Sequence, residues 1–347
     1  MKLNNLATNR IPWVNDNGTV ISSRIRLARN ISKVPFPCKA SKNEQAGVFD
    51  AIVGVIPEII ELRNAQVLRL NDYDKIDRRL LMERHLVSYD LASKATGEPG
   101  LIFNSNEEVS VMVNEEDHYR LQSISQGLSI AHSWNMLSAI DDSLNEKLNF
   151  AFHERYGFLT SCPTNTGTGL RASCLLHLPA LAMTESMEKL VSGLLKMNIS
   201  VRGFYGEGSQ PLGDIFQVSN AVSLGKSETE LIENFEKIVE TVIKYEQEAK
   251  NKISMGTLKA RMEDRISRAY GILTHARAID SEEAIGHLTK LKLTDDMGMN
   301  LSFNRDQLDQ LVFIIQPGHL QEMENSILEE TRRDIYRAEF IRKRLFN

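Results

Sequence analysis

Cysteine is scarce in this 347-residue sequence: Cys38, Cys162 and Cys174 form no C-x-x-C pair, and three thiols cannot all pair internally. A disulfide-stapled secreted domain is thereby excluded, and a reducing compartment fits the count. Long apolar runs are missing too. No stretch approaches the ~18 residues that span a bilayer, and the opening MKLNNLATNRIPWVNDNG has no apolar leader core. The expected location is the cytoplasm. Positive charge is not in excess either. A formal charge of -5 rules out the global basic field that holds nucleic acid or anionic lipid, so any anion site is local. The G-x-x-x-x-G-K-[ST] phosphate loop, the HRD and DFG signatures, internal repeats and low-complexity tracts are also absent.

What is present is a globular composition, 42% hydrophobic and 25% charged, long enough for two domains. Period-two alternation marks strands over Val20 to Leu27, Leu80 to Ser88, Glu108 to Val113, Leu170 to Leu178, Ile199 to Phe204 and Ile215 to Ser219. Between them, Ser41 with Glu44 reads as a capping box ahead of a helix, and Ile130, Trp134, Leu137 and Leu144 recur at helical spacing. From Ser227 and Glu230, a second capping box, strand signals nearly vanish. The expected fold class is α+β: a mainly antiparallel sheet flanked by helices over residues 1–252, then an all-α C-terminal domain over residues 253–347.

Chemistry concentrates in a few segments. A strand through Ile21 to Ala28 sets Ser22, Arg24 and Arg26 on one face and Ile21, Ile25 and Leu27 on the other. Taken alone, that is a half-exposed strand with a solvated basic face. In Val109 to Arg120 a continuing strand places Glu116, His118 and Arg120 opposite the valines, and an acidic run flows out of it. Adjacent carboxylates repel one another, and a bound guanidinium or Mg²⁺ would compensate them. Cys162 to Ser173 is a turn-rich loop feeding a strand that carries Arg171, with glycines that let backbone approach a phosphate. Val201 to Ser209 carries Arg202, then Glu207 between glycines.

In this order SSRIRLARN, NEEDHYR, CPTNTGTGLRAS and RGFYGEGS resemble the catalytic domain of the phosphagen (guanidino) kinases, over roughly Val20 to Lys250. The resemblance implies a guanidino-kinase-like fold using ATP and Mg²⁺. It also implies a nucleotide site made of Ser22, Ser23, Arg24, Ile25, Arg26, His85, Arg120, Arg171, Ala172, Ser173, Cys174, Leu175, Arg202, Gly203, Phe204, Tyr205 and Gly206. Glu116 and Glu207 match the two carboxylates that grip the guanidinium, and Cys162 matches a cysteine beside it. The chemistry is coherent. Phosphoryl transfer needs charge neutralisation and alignment, which arginine forks supply, while a guanidinium of pKa above ~12 needs a carboxylate to orient it and accept its proton.

The SSR-type strand begins almost at the N-terminus, where creatine and arginine kinases carry a helical domain that encloses a small substrate. With the helical C-terminal extension, this resembles the bacterial protein-arginine kinases and implies a site open to arginine on a folded protein. Arg333, Asp334, Arg337 and Ala338 match their RDxxRA signature, linked in that group to phosphoarginine binding and allosteric control. Read alone, the segment is a charged helix with i,i+4 pairs. The group also implies partners: heat-shock repressor-like protein substrates with exposed arginine, a zinc-containing activator, a ClpC-type unfoldase that degrades marked proteins in a stress response, and a homodimer or larger assembly. Two alternatives stay open, a small-molecule guanidino kinase and a phosphoarginine-binding adaptor.

Overall fold

The structure is a computed structural model that describes residues 3–16, 18–94, 96–204 and 211–346. Its strands are β1 (Val20–Arg29), β2 (Gln66–Arg69), β3 (Gly100–Phe103), β4 (Val109–Val113), β5 (Tyr119–Gln126), β6 (Phe152–His153), β7 (Gly157–Phe158), β8 (Leu170–His177), β9 (Ile199–Arg202) and β10 (Ile215–Asn220). Its helices are α1 (Asn4–Thr8), α2 (Lys42–Val55), α3 (Lys75–Glu83), α4 (Tyr89–Ser93), α5 (Ile130–Leu148), α6 (Pro179–Met183) and α7 (Met187–Lys196). They continue with α8 (Glu228–Met255), α9 (Lys259–His275), α10 (Ser281–Leu291), α11 (Arg305–Ile314), α12 (Pro317–Glu324) and α13 (Glu330–Leu345). Eight strands form one sheet in the order β2-β3-β4-β5-β1-β8-β10-β9, and β6 pairs with β7. The pairs β2–β3, β3–β4, β4–β5 and β1–β5 are antiparallel. The α+β class is as expected, and no strand follows Asn220 among the described residues.

Local chemistry explains the helix starts. Ser41 accepts from the Glu44 N–H while the Glu44 carboxylate accepts from the Ser41 N–H, so two orphan donors of α2 are satisfied reciprocally. Ser227 and Glu230 do the same at α8. Asp74 and Asp77 do so at α3, a helix where alternation had pointed to a strand from Leu80 to Ser88. The acidic run after β4 also departs from the extended reading. Asn114 takes a left-handed φ of 57° and its N–H donates to the His118 carbonyl at 2.9 Å, so Val109 to Arg120 is a hairpin rather than one strand.

The chain divides into two compact units. One comprises Ser22–Cys174 and Ser219–Lys237. Its core is Ile25 and Leu27 of β1, Val111 and Val113 of β4, Tyr119 and Leu121 of β5 and Leu137, Ile140 and Leu144 of α5, all fully buried. Each such side chain contributes ~1.5–3 kcal/mol by leaving water. The other comprises Met1–Ile21, Leu175–Val218 and Ile238–Asn347. In it the N-terminal segment is stitched to the C-terminal helices: the Gln310 side chain both accepts from the Ile11 N–H (2.8 Å) and donates to its carbonyl (3.2 Å). Trp13 meets Phe313 edge-on at 5.0 Å, and Phe313 stacks on Phe204 at 5.4 Å.

Candidate active site

Alternation along β1 exposes only Arg24 and Arg26 between buried neighbours, so both guanidiniums leave the same face of a packed strand. The β1–β5 register sets Arg26 opposite Gln122 and Ala28 opposite Arg120, which adds Arg120 to that face. From β8, Arg171 donates to Ser219 Oγ at 3.2 Å, and Ser173 Oγ accepts from Arg24 Nε at 3.4 Å. Arg24, Arg26, Arg120 and Arg171 therefore share one region of the sheet. Burial, then Arg171 and Arg120, push the Arg24 guanidinium down to about 10. Burial lowers Arg26 as well, helped by Arg24, Arg120 and Arg171 and opposed by Glu115. Its Nε is buried without a hydrogen-bond partner. Four mutually repelling cations with an unanswered donor fit a polyanion, whose binding would relieve each of those strains. His85 faces the same cluster. Burial, then Arg24 and Arg26, lower its imidazole to about 3, so it is neutral at physiological pH.

The acidic end of the site is the β4–β5 turn. Arg120 Nη2 donates to Glu116 Oε2 at 3.2 Å, while its Nη1 lies 2.6 Å from Glu115 Oε2, an ion pair off the hydrogen-bond axis. Glu115 is buried and also accepts from Ser88 Oγ, whereas the Glu116 side chain stays 42% exposed and available. Burial raises the Glu116 carboxyl; Arg120 pulls it back, Asp117 and Glu115 push it further up, and a hydrogen bond from Cys162 lowers it. Cys162 thus sits beside Glu116, with its Sγ 3.0 Å from Thr164 Oγ1.

This loop is tied down from below. Asp117 Oδ1 accepts from Asn30 Nδ2 (2.7 Å) and from the Ser161 N–H (2.6 Å), and Ser161 Oγ donates to the Glu116 carbonyl (2.7 Å). His118 does not share the face of Glu116 and Arg120. It is buried, its Nδ1 accepts from the Ile31 N–H at 3.0 Å, and its Nε2 therefore carries the proton, donating to the Pro35 carbonyl. Gly169 supplies the other support. Its φ is 66°, and a Cβ there would meet Arg29 Nη1 at 2.6 Å and the Ala28 carbonyl at 2.7 Å. Arg29, itself buried, donates to Asp141 and to the Thr168 carbonyl and stacks 3.6 Å over Phe158.

The remaining expected residues divide by position. Ser23, Ile25, Ala172 and Cys174 are buried on the opposite side of β1 and β8 from the arginines. Ser23 Oγ donates to the Gly127 carbonyl, and burial pushes the Cys174 thiol up to about 12, so it is inert. Ser22 and Leu175 are buried too. Arg202 ends β9 in the other unit, followed by Gly203 and the buried Phe204. Tyr205, Gly206 and Glu207 lie outside the described residues. On α13 the Arg337 guanidinium is buried and spent on the Ile315 carbonyl (2.9 Å), the Ile279 carbonyl (2.8 Å) and Asp334. Arg333 Nε is buried with no hydrogen-bond partner, and Ala338 packs in the core. Sequence reasoning gave Glu115, Ser88, Ser219 and Asn220 no role. Asn220 Oδ1 accepts from the Ala172 N–H at 2.8 Å and fixes β8, a long-range pairing that leaves no local signal.

Comparisons with known proteins identify the family. Residues 48–249 match the family model of the ATP:guanido phosphotransferase C-terminal catalytic domain, and residues 259–347 match that of the protein-arginine kinase McsB C-terminal domain. The protein-arginine kinase of Halothermothrix orenii is 40% identical over 337 residues, covering 96% of each chain. That of Bacillus subtilis is 39% identical over 339 residues, covering 96% of this chain and 93% of its own. Among solved structures, the duplicated taurocyamine kinase of Schistosoma mansoni with bound transition state analog components superposes with a TM-score of 0.60 at 26% identity. That match covers 66% of this chain and 33% of that one. Lombricine kinase matches in fold with a TM-score of 0.60 at 24% identity, over 70% of each chain. With one family model over its catalytic segment, another over its helical end and near full-length relatives, the chain belongs to the ATP:guanido phosphotransferase family, in its protein-arginine kinase branch.

Proposed function

We propose that this protein transfers the γ-phosphoryl group of ATP to arginine side chains of other proteins. The observation that carries the reading is an accessible carboxylate, Glu116, hydrogen-bonded to Arg120 at the edge of a cluster of Arg24, Arg26, Arg120 and Arg171. Bound ATP with Mg²⁺ supplies the phosphoryl group and a leaving diphosphate. Mg²⁺ bound with the nucleotide would add positive charge against the phosphates beside the arginine cluster. The arginines, with Arg202, hold the phosphates and neutralise the charge that spreads over the equatorial oxygens. His85, neutral, contacts the nucleotide without adding to the cationic crowding.

Glu116 orients the planar guanidinium of the acceptor and takes its proton as the N–P bond forms. Its present partner Arg120 is also a guanidinium, which supports its fitness for that grip. Glu115 keeps Arg120 in place when Glu116 turns to the acceptor. Glu207 is the second carboxylate in this reading, and Cys162 lies alongside. Ser22, Ser23, Ile25, Ala172, Ser173, Cys174, Leu175 and Gly203 to Gly206 complete the nucleotide site in this reading. The chain divides functionally into a catalytic domain, 1–252, and a helical domain, 253–347, in line with the two separate family matches.

At the helical end, Arg333 with its unanswered Nε offers a donor to a phosphoarginine, and Arg337 is the frame that holds α13. The wider reading includes heat-shock repressor-like substrates, a zinc-containing activator, delivery of marked proteins to a ClpC-type unfoldase in a stress response, a cytoplasmic site of action and a homodimer or larger assembly. No helix of the described residues is long and apolar enough to cross a membrane. The test offers Mg-ATP with either a casein-like protein or free arginine and reads acid-labile phosphoarginine by mass spectrometry. Phosphate on protein arginine supports the proposal. Turnover of free arginine alone makes it a small-metabolite kinase, and an adaptor would yield neither product.

A further inference from the structure

His85 occupies a position that its residue type disfavours. Helix α3 ends with the Arg84 N–H donating to the Leu80 carbonyl, the His85 N–H to that of Met82 and the Leu86 N–H to that of Leu81. This is the tight helix exit whose left-handed residue is usually glycine. Here that residue is His85, with φ of 58°. A side chain in that conformation persists only where its surroundings over-determine it.

The surroundings that do so come from the β3–β4 and β5 segments. Gln122 Nε2 donates to the His85 carbonyl at 2.7 Å and anchors it to β5. One residue earlier, Arg84 is wholly buried, and its guanidinium grips Glu107 with both prongs, Nε to Oε2 at 2.7 Å and Nη2 to Oε1 at 2.5 Å. Glu107 itself sits in the turn between β3 and β4, at φ of 56°, with its N–H donating to the Asn104 carbonyl. A buried ion pair is a poor source of net stability, because removing both charges from water offsets most of their attraction, and apolar side chains of similar volume would serve as well. What a bidentate fork adds is a fixed distance and plane.

We infer that the buried Arg84–Glu107 pair is a positioning clamp for His85, holding it in the left-handed conformation that turns its imidazole to Arg24 and Arg26. The Nε and Nη2 of Arg84 are directed at Glu107. The effect of the pair passes through the backbone of the residue next to Arg84. The inference rests on the nucleotide role of that face proposed above and adds a specific lever on it.

The test replaces both charges together, R84M/E107M, which leaves no uncompensated buried ion. E107Q, which retains one accepting oxygen, is the second variant. Each is made in the full chain with native His85 and with H85A, and the KM for ATP, kcat and thermal midpoint are measured. With His85 present, the KM for ATP rises about tenfold in the double variant and less in E107Q, while kcat stays within about threefold. With H85A, neither change raises the KM further. A purely structural pair would lower the thermal midpoint, and either leave the KM for ATP unmoved or multiply it independently of His85; both results overturn the clamp. A wild-type chain without saturable dependence on ATP would instead sink the proposed function.

Discussion

Glu116 works with an environment that pulls its carboxyl in two directions. Burial and the neighbouring Asp117 and Glu115 raise it, Arg120 and Cys162 lower it, and the balance is upward. A base with a raised pKa loses its proton-accepting form at a higher pH than an ordinary glutamate. Activity therefore falls as pH drops through that raised value and is full above it. Replacing Glu116 by Gln keeps the shape and removes the base: kcat falls ~10²- to 10⁴-fold, the KM for ATP stays within about twofold, and the acid limb disappears from the residual rate. Steady-state kinetics between pH 5 and 9 check this, and a retained acid limb in E116Q assigns the base elsewhere. Glu115, one residue away, has another task. Buried and held by Ser88, it answers the charge of Arg120 and Arg26, so in the proposed reading neighbouring glutamates divide into a structural counter-ion and a reactive base.

At the scale of elements, the site depends on strands β5, β1 and β8 lying side by side, and on the loop before β8 being pinned to β1. Arg29 makes that pin through the Thr168 carbonyl and is itself held by Asp141 of α5 in a bidentate pair, with side chains 1% and 10% exposed. Replacing Asp141 by Asn leaves a buried guanidinium half-answered and costs roughly 3–5 kcal/mol, read from chemical denaturation. A loss under ~1 kcal/mol would mean that water reaches Arg29.

Much of this scaffold was legible in the sequence. The reciprocal Ser41 and Glu44 pair and the Ser227 and Glu230 pair announced α2 and α8, because capping chemistry is local. Alternation in β1 announced the Arg24 and Arg26 face. Two elements were misread for definable reasons. In α3 the buried apolar residues, Leu80 and Leu81, fall in the second half of the helix, so a window opening there misses the Asp74 cap. In the β4–β5 hairpin the turn is made by a left-handed Asn114 inside an acidic run, where no glycine flags it. The ion pairs Arg29–Asp141 and Arg84–Glu107 join residues far apart in sequence, and only the folded register brings them together.

At the scale of the whole molecule, a chain with a formal charge of -5 concentrates Arg24, Arg26, Arg120 and Arg171 on one patch of one sheet. Such local focusing suits the triphosphate of the proposed reading. The unit that contains the helical end also contains the first residues of the chain: Ile11 is held by Gln310 and Trp13 by Phe313, while Arg337 fixes α13 to the ends of neighbouring segments. The segment matched at residues 259–347 therefore packs with the N-terminal segment in one compact unit.

The proposed reaction is defined by the bond that is made. Phosphorus-31 NMR of the full chain with Mg-ATP and an arginine-rich acceptor protein, held at neutral pH without acid quench, reads that bond directly. The account predicts a phosphoramidate resonance that grows in step with ADP and is lost on acidification. Inorganic phosphate alone, or acid-stable phosphate on serine, threonine or tyrosine oxygen, would contradict it.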